Sequence, residues 1–256
     1  MFSLIKYEFK SIYKDLIGIL VSILIMFILV STKMNFLFFS VNDAVIMALT
    51  IAVIVITIID CIKVFGKYLY SDDGYLMFTL PQSGYSIVGS RLIVSLILVF
   101  LVSMALYGFI YYGVFVRTLK MSGLSNLFDF KIPAGAIDLS ILDWTIKVAA
   151  SLCIVYFSMV LGKSIIPIKK HEKLIAFITF IVISVILGKF NDVITSNLAI
   201  NINYNIQGHF NFGAFINGDI QNNITTINLV GLILNLIEGA GFFCGTAYLI
   251  DNKLEL

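Results

Sequence analysis

Apolar residues in this sequence come in long blocks separated by short polar breaks. The blocks cover about residues 17–38, 44–69, 86–116, 144–162, 174–188 and 227–250. A helix needs roughly 20 apolar residues to cross the hydrocarbon core of a bilayer. The pattern therefore predicts an all-α membrane protein with six transmembrane helices, forming one domain over residues 1–256. Block 86–116 is longer than one crossing requires, which fits a tilted or protruding helix. Its serines, tyrosines and glycines, among them Ser95, Ser103, Tyr107 and Gly108, suit close helix packing or a partly wet groove. Block 174–188 is short for a full crossing.

The polar breaks have patterns of their own. Ahead of the first block, Phe2, Ile5, Phe9, Ile12 and Leu16 recur at helical spacing, with Lys6, Lys10 and Lys14 on an adjacent strip. Two readings stand. One is an amphipathic elbow helix over residues 2–16, lying in the interface with its lysines anchored among the phosphates. The other is a plain helical extension of the first span. That span is long and lacks a small-residue cleavage site, so it reads as retained and not as a signal peptide. At the end of the second block, Asp60 and Lys63 are spaced to pair along one helix face. Between blocks two and three, Asp72-Asp73-Gly74 stops the helix and Pro81 closes a short amphipathic segment carrying Tyr75, Leu76, Phe78 and Leu80. That segment is either a place for a partner to grip or an interfacial helix resting on lipid headgroups. Residues 189–225 are rich in asparagine, but interleaved Ile, Tyr and Phe argue against disorder. The expectation there is a folded outward cap with short helices dipping into the bilayer.

Composition removes the soluble alternatives. Of 256 residues, 60% are hydrophobic and only 12% charged, with mean hydropathy +1.02. A soluble domain carries about 25% charged residues. A net charge of +2 is too small to argue for nucleic acid. The dense basic clusters (Lys6, Lys10 and Lys14; Lys63 and Lys67; Lys163, Lys169, Lys170 and Lys173) all fall on the side of the termini in a six-span layout. The positive-inside rule then puts both termini and residues 71–82 in the cytoplasm, and the cap outside. Cys61, Cys153 and Cys244 form no CxxC pair and read as small hydrophobes. His171 and His209 have no ligand-spaced neighbour, so no metal is expected.

Few residues promise chemistry. Glu238 lies mid-block with Asn235 one turn before it on the same face. An ionisable group there either lines a pathway or subunit interface, or is a protonated glutamate bonded to a neighbouring helix. Gly241-Phe-Phe-Cys-Gly245 is a GxxxG pattern that favours helix contact. Gly162-Lys163-Ser164 resembles the end of a phosphate-binding loop, but Phe157 stands where the loop needs its first glycine. No nucleophile–base set, paired catalytic carboxylates or HExxH is present, so the sequence offers an enzyme reading nothing to stand on.

The chain resembles the permease subunits of bacterial type-2 ABC exporters. The resemblance rests on Phe2-Ser-Leu-Ile-Lys-Tyr-Glu-Phe-Lys10, on Asp73-Gly-Tyr-Leu-Met-Phe-Thr-Leu-Pro81-Gln-Ser83, and on the ending Gly245-Thr-Ala-Tyr-Leu-Ile-Asp-Asn-Lys-Leu-Glu-Leu256. Within that family it is similar to exporters of phenol-soluble modulins and antimicrobial peptides. The resemblance implies a cytoplasmic coupling helix between spans two and three, with Asp73, Tyr75, Leu76, Phe78 and Leu80 docking on a separate ABC ATPase. It implies a second permease copy, most simply a homodimer, and location in a bacterial cytoplasmic membrane. It also implies amphipathic peptide substrates, with ATP and Mg bound only by the partner. Two rivals remain: a membrane immunity protein that binds peptides or lipids without moving them, and an ion-coupled carrier using Glu238.

Overall fold

The structure, a computed structural model, describes residues 2–32, 39–70, 83–109, 128–131, 134–165, 172–198, 200–212 and 216–253. Helices α1 (Phe2–Thr32), α2 (Phe39–Tyr70) and α3 (Gly84–Gly108) come first. A short strand β1 (Phe128–Lys131) precedes α4 (Ala134–Ile165) and α5 (Glu172–Asn197). Strands β2 (Asn201–Phe212) and β3 (Ile216–Asn228) follow, and α6 (Leu229–Lys253) ends the order. Five described stretches are long and apolar enough to cross a membrane: Ala48–Lys67, Gly84–Gly108, Leu139–Ser164, Glu172–Asn197 and Leu229–Asn252. They lie one in each of α2 to α6. The sixth expected span falls in α1, and its apolar block runs past Thr32 into residues outside the described set. Large apolar side chains stand exposed along the helices. On α5 alone they include Phe177, Ile181, Val185 and Ile186. A water-soluble surface does not carry so continuous an apolar face. The chain is a multi-pass helical membrane protein.

α1 is unbroken from Phe2 to Thr32, so residues 2–16 form one helix with the first span. No proline interrupts it. Its 31 residues make a rod of about 46 Å, against roughly 30 Å of hydrocarbon. Lys6, Lys10 and Lys14 are all exposed on its N-terminal third. α2 starts five residues ahead of its apolar block, and Lys63 Nζ meets Asp60 Oδ1 at 3.0 Å, the pair that the spacing predicted. α4 starts ten residues before the expected boundary, with Asp143 and Lys147 bridged at 2.7 Å inside it. α5 runs on to Asn197, where Thr195 and Asn197 bond back to the carbonyls of Asn191 and Val193.

The largest departure from expectation lies between α5 and α6. Short dipping helices are replaced by an antiparallel sheet of order β1-β2-β3. Asn201 pairs with Asn228 and Phe212 with Ile216, with one irregularity between Ile206 and Gly208. Phe128 pairs with Phe210 on the other side of β2. The reason is legible in hindsight. Asn201-Ile-Asn-Tyr-Asn-Ile206 alternates polar and apolar strictly, which is the strand period and not the helical one. β3 then passes into α6 without a linker. Asn228 Oδ1 accepts from the amides of Val230 at 3.0 Å and Gly231 at 3.3 Å, capping the helix it precedes.

Contacts divide the chain into two units. One comprises Met1–Lys67 and Ile93–Ser125. Within it, Phe9, Ile12, Tyr13 and Leu16 of α1 enclose a small apolar pocket with Val94 and Leu98 of α3. The Cys61 thiol of α2 hydrogen-bonds Ser95 of α3. The other unit comprises Tyr68–Leu92 and Asn126–Leu256. Its axis is α4, which packs on both α5 and α6. Gly162 brings α4 so close to α5 that a Cβ there would lie 2.9 Å from the Ala176 amide nitrogen. Gly239 brings α6 onto Ala150, and Gly245 faces the Phe157 ring. Phe157 and Phe242 meet edge to face at 5.2 Å. All three cysteines are free. Replacing Asn228 with alanine removes the cap of α6 and is expected to cost about 1 kcal/mol. Thermal unfolding of the detergent-solubilised chain measures it.

Candidate functional site

Asp73, Tyr75, Leu76, Phe78 and Leu80 lie in residues 71–82, outside the described residues. Both flanks of that segment are described, and other helix ends gather around them. At the first flank α2 ends at Tyr70. Lys163, in the last turn of α4, donates from Nζ to the carbonyl of Leu69. That carbonyl is one of the unpaired acceptors every helix leaves at its C-terminus, where a cation is favoured. Lys173, in the first turn of α5, holds its ammonium 5.6 Å from the centre of the Tyr70 ring. The Tyr70 hydroxyl is buried without a hydrogen-bond partner. Burial, and then the negative charge of Glu172, push its phenol up to about 12.

At the second flank α3 begins. The Ser83 carbonyl accepts from the amides of Ser86 and Ile87 at 2.9 and 3.2 Å, opening the helix. The Gly84 amide, an orphan donor of the first turn, donates to Asp251 Oδ1 at 2.7 Å. Asp251 belongs to the last turn of α6. Because Asp251 is exposed, the bond is worth about 1 kcal/mol and not the larger value of a buried charged pair. Gly84 is required here by space. A Cβ would lie 2.6 Å from the Ala247 carbonyl oxygen and 2.8 Å from Asp251 Oδ1. Beside it Tyr85 and Phe243 pack with ring centres 6.1 Å apart. The roles of Gly162 and Lys163 are thus structural: one admits Ala176, the other meets Leu69.

Deeper in the membrane, Glu238 does not meet Asn235. Asn235 Nδ2 donates to the carbonyl of Gly231 in its own helix at 2.7 Å. The partner of Glu238 is Asn191 of α5, whose Nδ2 donates to Oε2 at 3.3 Å. Glu238 Oε1 and Asn191 Oδ1 are buried without partners. Interhelical bonds of this kind are worth about 0.6 kcal/mol on average in membranes. Asn191 was missed because the expected fifth span stopped at residue 188. The expected GxxxG contact also shifts: nothing comes within 4 Å of a Cβ at Gly241, and helix contact falls on Gly239 and Gly245. Among the described residues no three His, Cys, Asp or Glu side chains group as metal ligands.

No protein-family model, no curated protein and no solved structure matches this chain. What the molecule shows is a multi-pass helical protein in which the ends of α2, α4 and α5 meet at Leu69 and Tyr70, and those of α3 and α6 at Gly84.

Two outcomes test this arrangement. Gly84→Ala forces a Cβ against a backbone oxygen and is expected to destabilise by about 1–3 kcal/mol. Gly18→Ala, in open space on α1, is the control and stays within about 1 kcal/mol of the parent or above it. Below the ordinary phenol pKa of 10.0, Tyr70 is neutral whether the chain is folded or not. Above it the unfolded chain loses that proton first, so stability falls as pH rises from about 10 to about 12. Tyr70→Phe is expected to remove that part of the slope in unfolding measured against pH.

Proposed function

We propose that this chain is the transmembrane subunit of an ATP-driven exporter, carrying hydrophobic or amphipathic substrates, most of all peptides, out of a bacterial cell. The observation that carries this is Asp73-Gly-Tyr-Leu-Met-Phe-Thr-Leu-Pro81-Gln-Ser83, which resembles the coupling segment of type-2 ABC permeases and joins α2 to α3. The chain binds no nucleotide in this reading. A cytoplasmic ABC ATPase supplies ATP and Mg, and docks on Tyr75, Leu76 and Phe78. A second copy of the chain completes the pathway.

The mechanism follows from the layout. ATP binding draws two ATPase subunits together and moves the segment docked on each. The permease has two arrangements of its helices, and the ATPase favours one of them by its differential contacts. An apolar substrate enters sideways from the inner leaflet. Aliphatic and aromatic walls accept it with little reading of its sequence. The exposed apolar faces of α5 and α6 support such a lipid-accessible route.

A second reading has one observation in its favour. The buried, unpartnered Oε1 of Glu238 is what an ion-coupled carrier would use. Uptake or efflux by the reconstituted chain without any ATPase decides for the carrier. For the exporter, replacing Tyr75 and Phe78 together with aspartate is expected to abolish ATPase co-purification while membrane insertion stays at the parental level. Undiminished co-purification overturns the docking assignment.

A further inference from the structure

The two flanks of residues 71–82 are held by charges from elsewhere in the chain, and the two charges are of opposite sign. Lys163 meets the last turn of α2, the negative end of that helix. Asp251 meets the first amide of α3, the positive end of that helix. Asp251 stands in the last turn of its own helix, where the macrodipole disfavours an anion. The N-terminus of α3 offsets that cost through the Gly84 amide. Gly84 admits the backbone of α6 at that point, so the approach of α3 to α6 is built in. A separate observation agrees. The end of α2 from Tyr68 and the start of α3 up to Leu92 belong to the unit that holds α4, α5 and α6.

We infer that Lys163 and Asp251 are positioning residues that fasten both feet of the 71–82 segment to α4 and α6. A pull on the segment is thereby delivered to the α4–α6 group. The two ties hold the end of α2 to α4 and the start of α3 to α6. This inference rests on the docking role proposed above for what the ties do, but not for their existence.

The experiment therefore has two arms. The first uses the purified chain in lipid nanodiscs and amide hydrogen exchange. Asp251→Ala is expected to speed exchange at residues 84–87 by about fivefold, the factor a hydrogen bond to an exposed group supplies. Lys163→Met is expected to do the same at residues 67–70, and Asp251→Glu and Lys163→Arg to restore slow exchange. The middle of α6 is the internal control for folding. Unchanged exchange at both feet overturns the inference, whatever the protein does. The second arm uses an ABC ATPase that co-purifies with the parental chain and reads the permease-dependent part of its ATP hydrolysis. Asp251→Ala and Lys163→Met are expected to keep co-purification while that part falls about tenfold or more, with rescue by the conservative variants. Undiminished hydrolysis overturns the inference, and so does loss of co-purification, since the residues would then act in docking itself. If no ATPase accompanies the parental chain, the proposed function fails and the exchange arm alone decides the ties.

Discussion

α4 can serve as an axis because its neighbours come within backbone contact of it. Lipid tails are as apolar as leucine, so burial of apolar surface gives helices in a membrane little reason to associate. What remains is dispersion at short range, and that requires small residues where the backbones cross. Gly162 against Ala176, on the α4–α5 pair, and Gly239 against Ala150 and Gly245 against Phe157, on the α4–α6 pair, meet that requirement. Tyr156 and Val160 are fully buried on the same helix, between those contacts. Thr179 adds a polar contact, its hydroxyl 3.4 Å from the Ser158 carbonyl. The approach of α4, α5 and α6 sets where their ends lie, and so where Lys163, Lys173 and Asp251 can reach.

Charge in this chain follows from the same solvent. Inside the hydrocarbon every backbone group must be satisfied by its own helix, and the unsatisfied ones collect at helix ends. Side-chain charges are affordable in the same places. Lys163, Lys173, Glu172 and Asp251 all sit in terminal turns, and they meet the orphan carbonyl of Leu69, the ring of Tyr70 and the orphan amide of Gly84. Asp60, Arg91 and Glu238 depart from this, each lying within a candidate span. Glu238 takes one hydrogen bond from Asn191 and leaves an oxygen without a partner.

The sequence reveals the helices and conceals what they choose as partners. Long apolar blocks mark α2 to α6 because a continuous apolar run of that length satisfies its own backbone in lipid as a helix. Asp60 and Lys63 pair as their spacing requires, since an i,i+3 contact is local. Boundaries fail where polar residues prolong a helix: α4 begins at Ala134 and α5 ends at Asn197, each held by local side-chain bonds that hydropathy does not register. The strands between α5 and α6 were written in the alternation of Asn with Ile and Tyr, a signal that asparagine abundance masks. The meeting of Glu238 with Asn191 depends on how two helices rotate against each other, and no periodicity within either one encodes that. Lys163 and Asp251 looked like ordinary members of basic and terminal stretches. Only the fold shows that each ends beside a backbone group of a different helix.

α6 is joined to β3 at Asn228 with no intervening turn, and Asn228 also caps it. The Leu229 amide bonds the Ile200 carbonyl at 3.0 Å, tying the root of the hairpin together as well. A helix that spans the bilayer has its two termini on opposite faces. Any rotation of α6 about its own axis must therefore turn the base of the hairpin on the far side, as a shaft turns a pointer. A dye on that hairpin would register the shaft's angle from across the membrane, with no label near the moving parts.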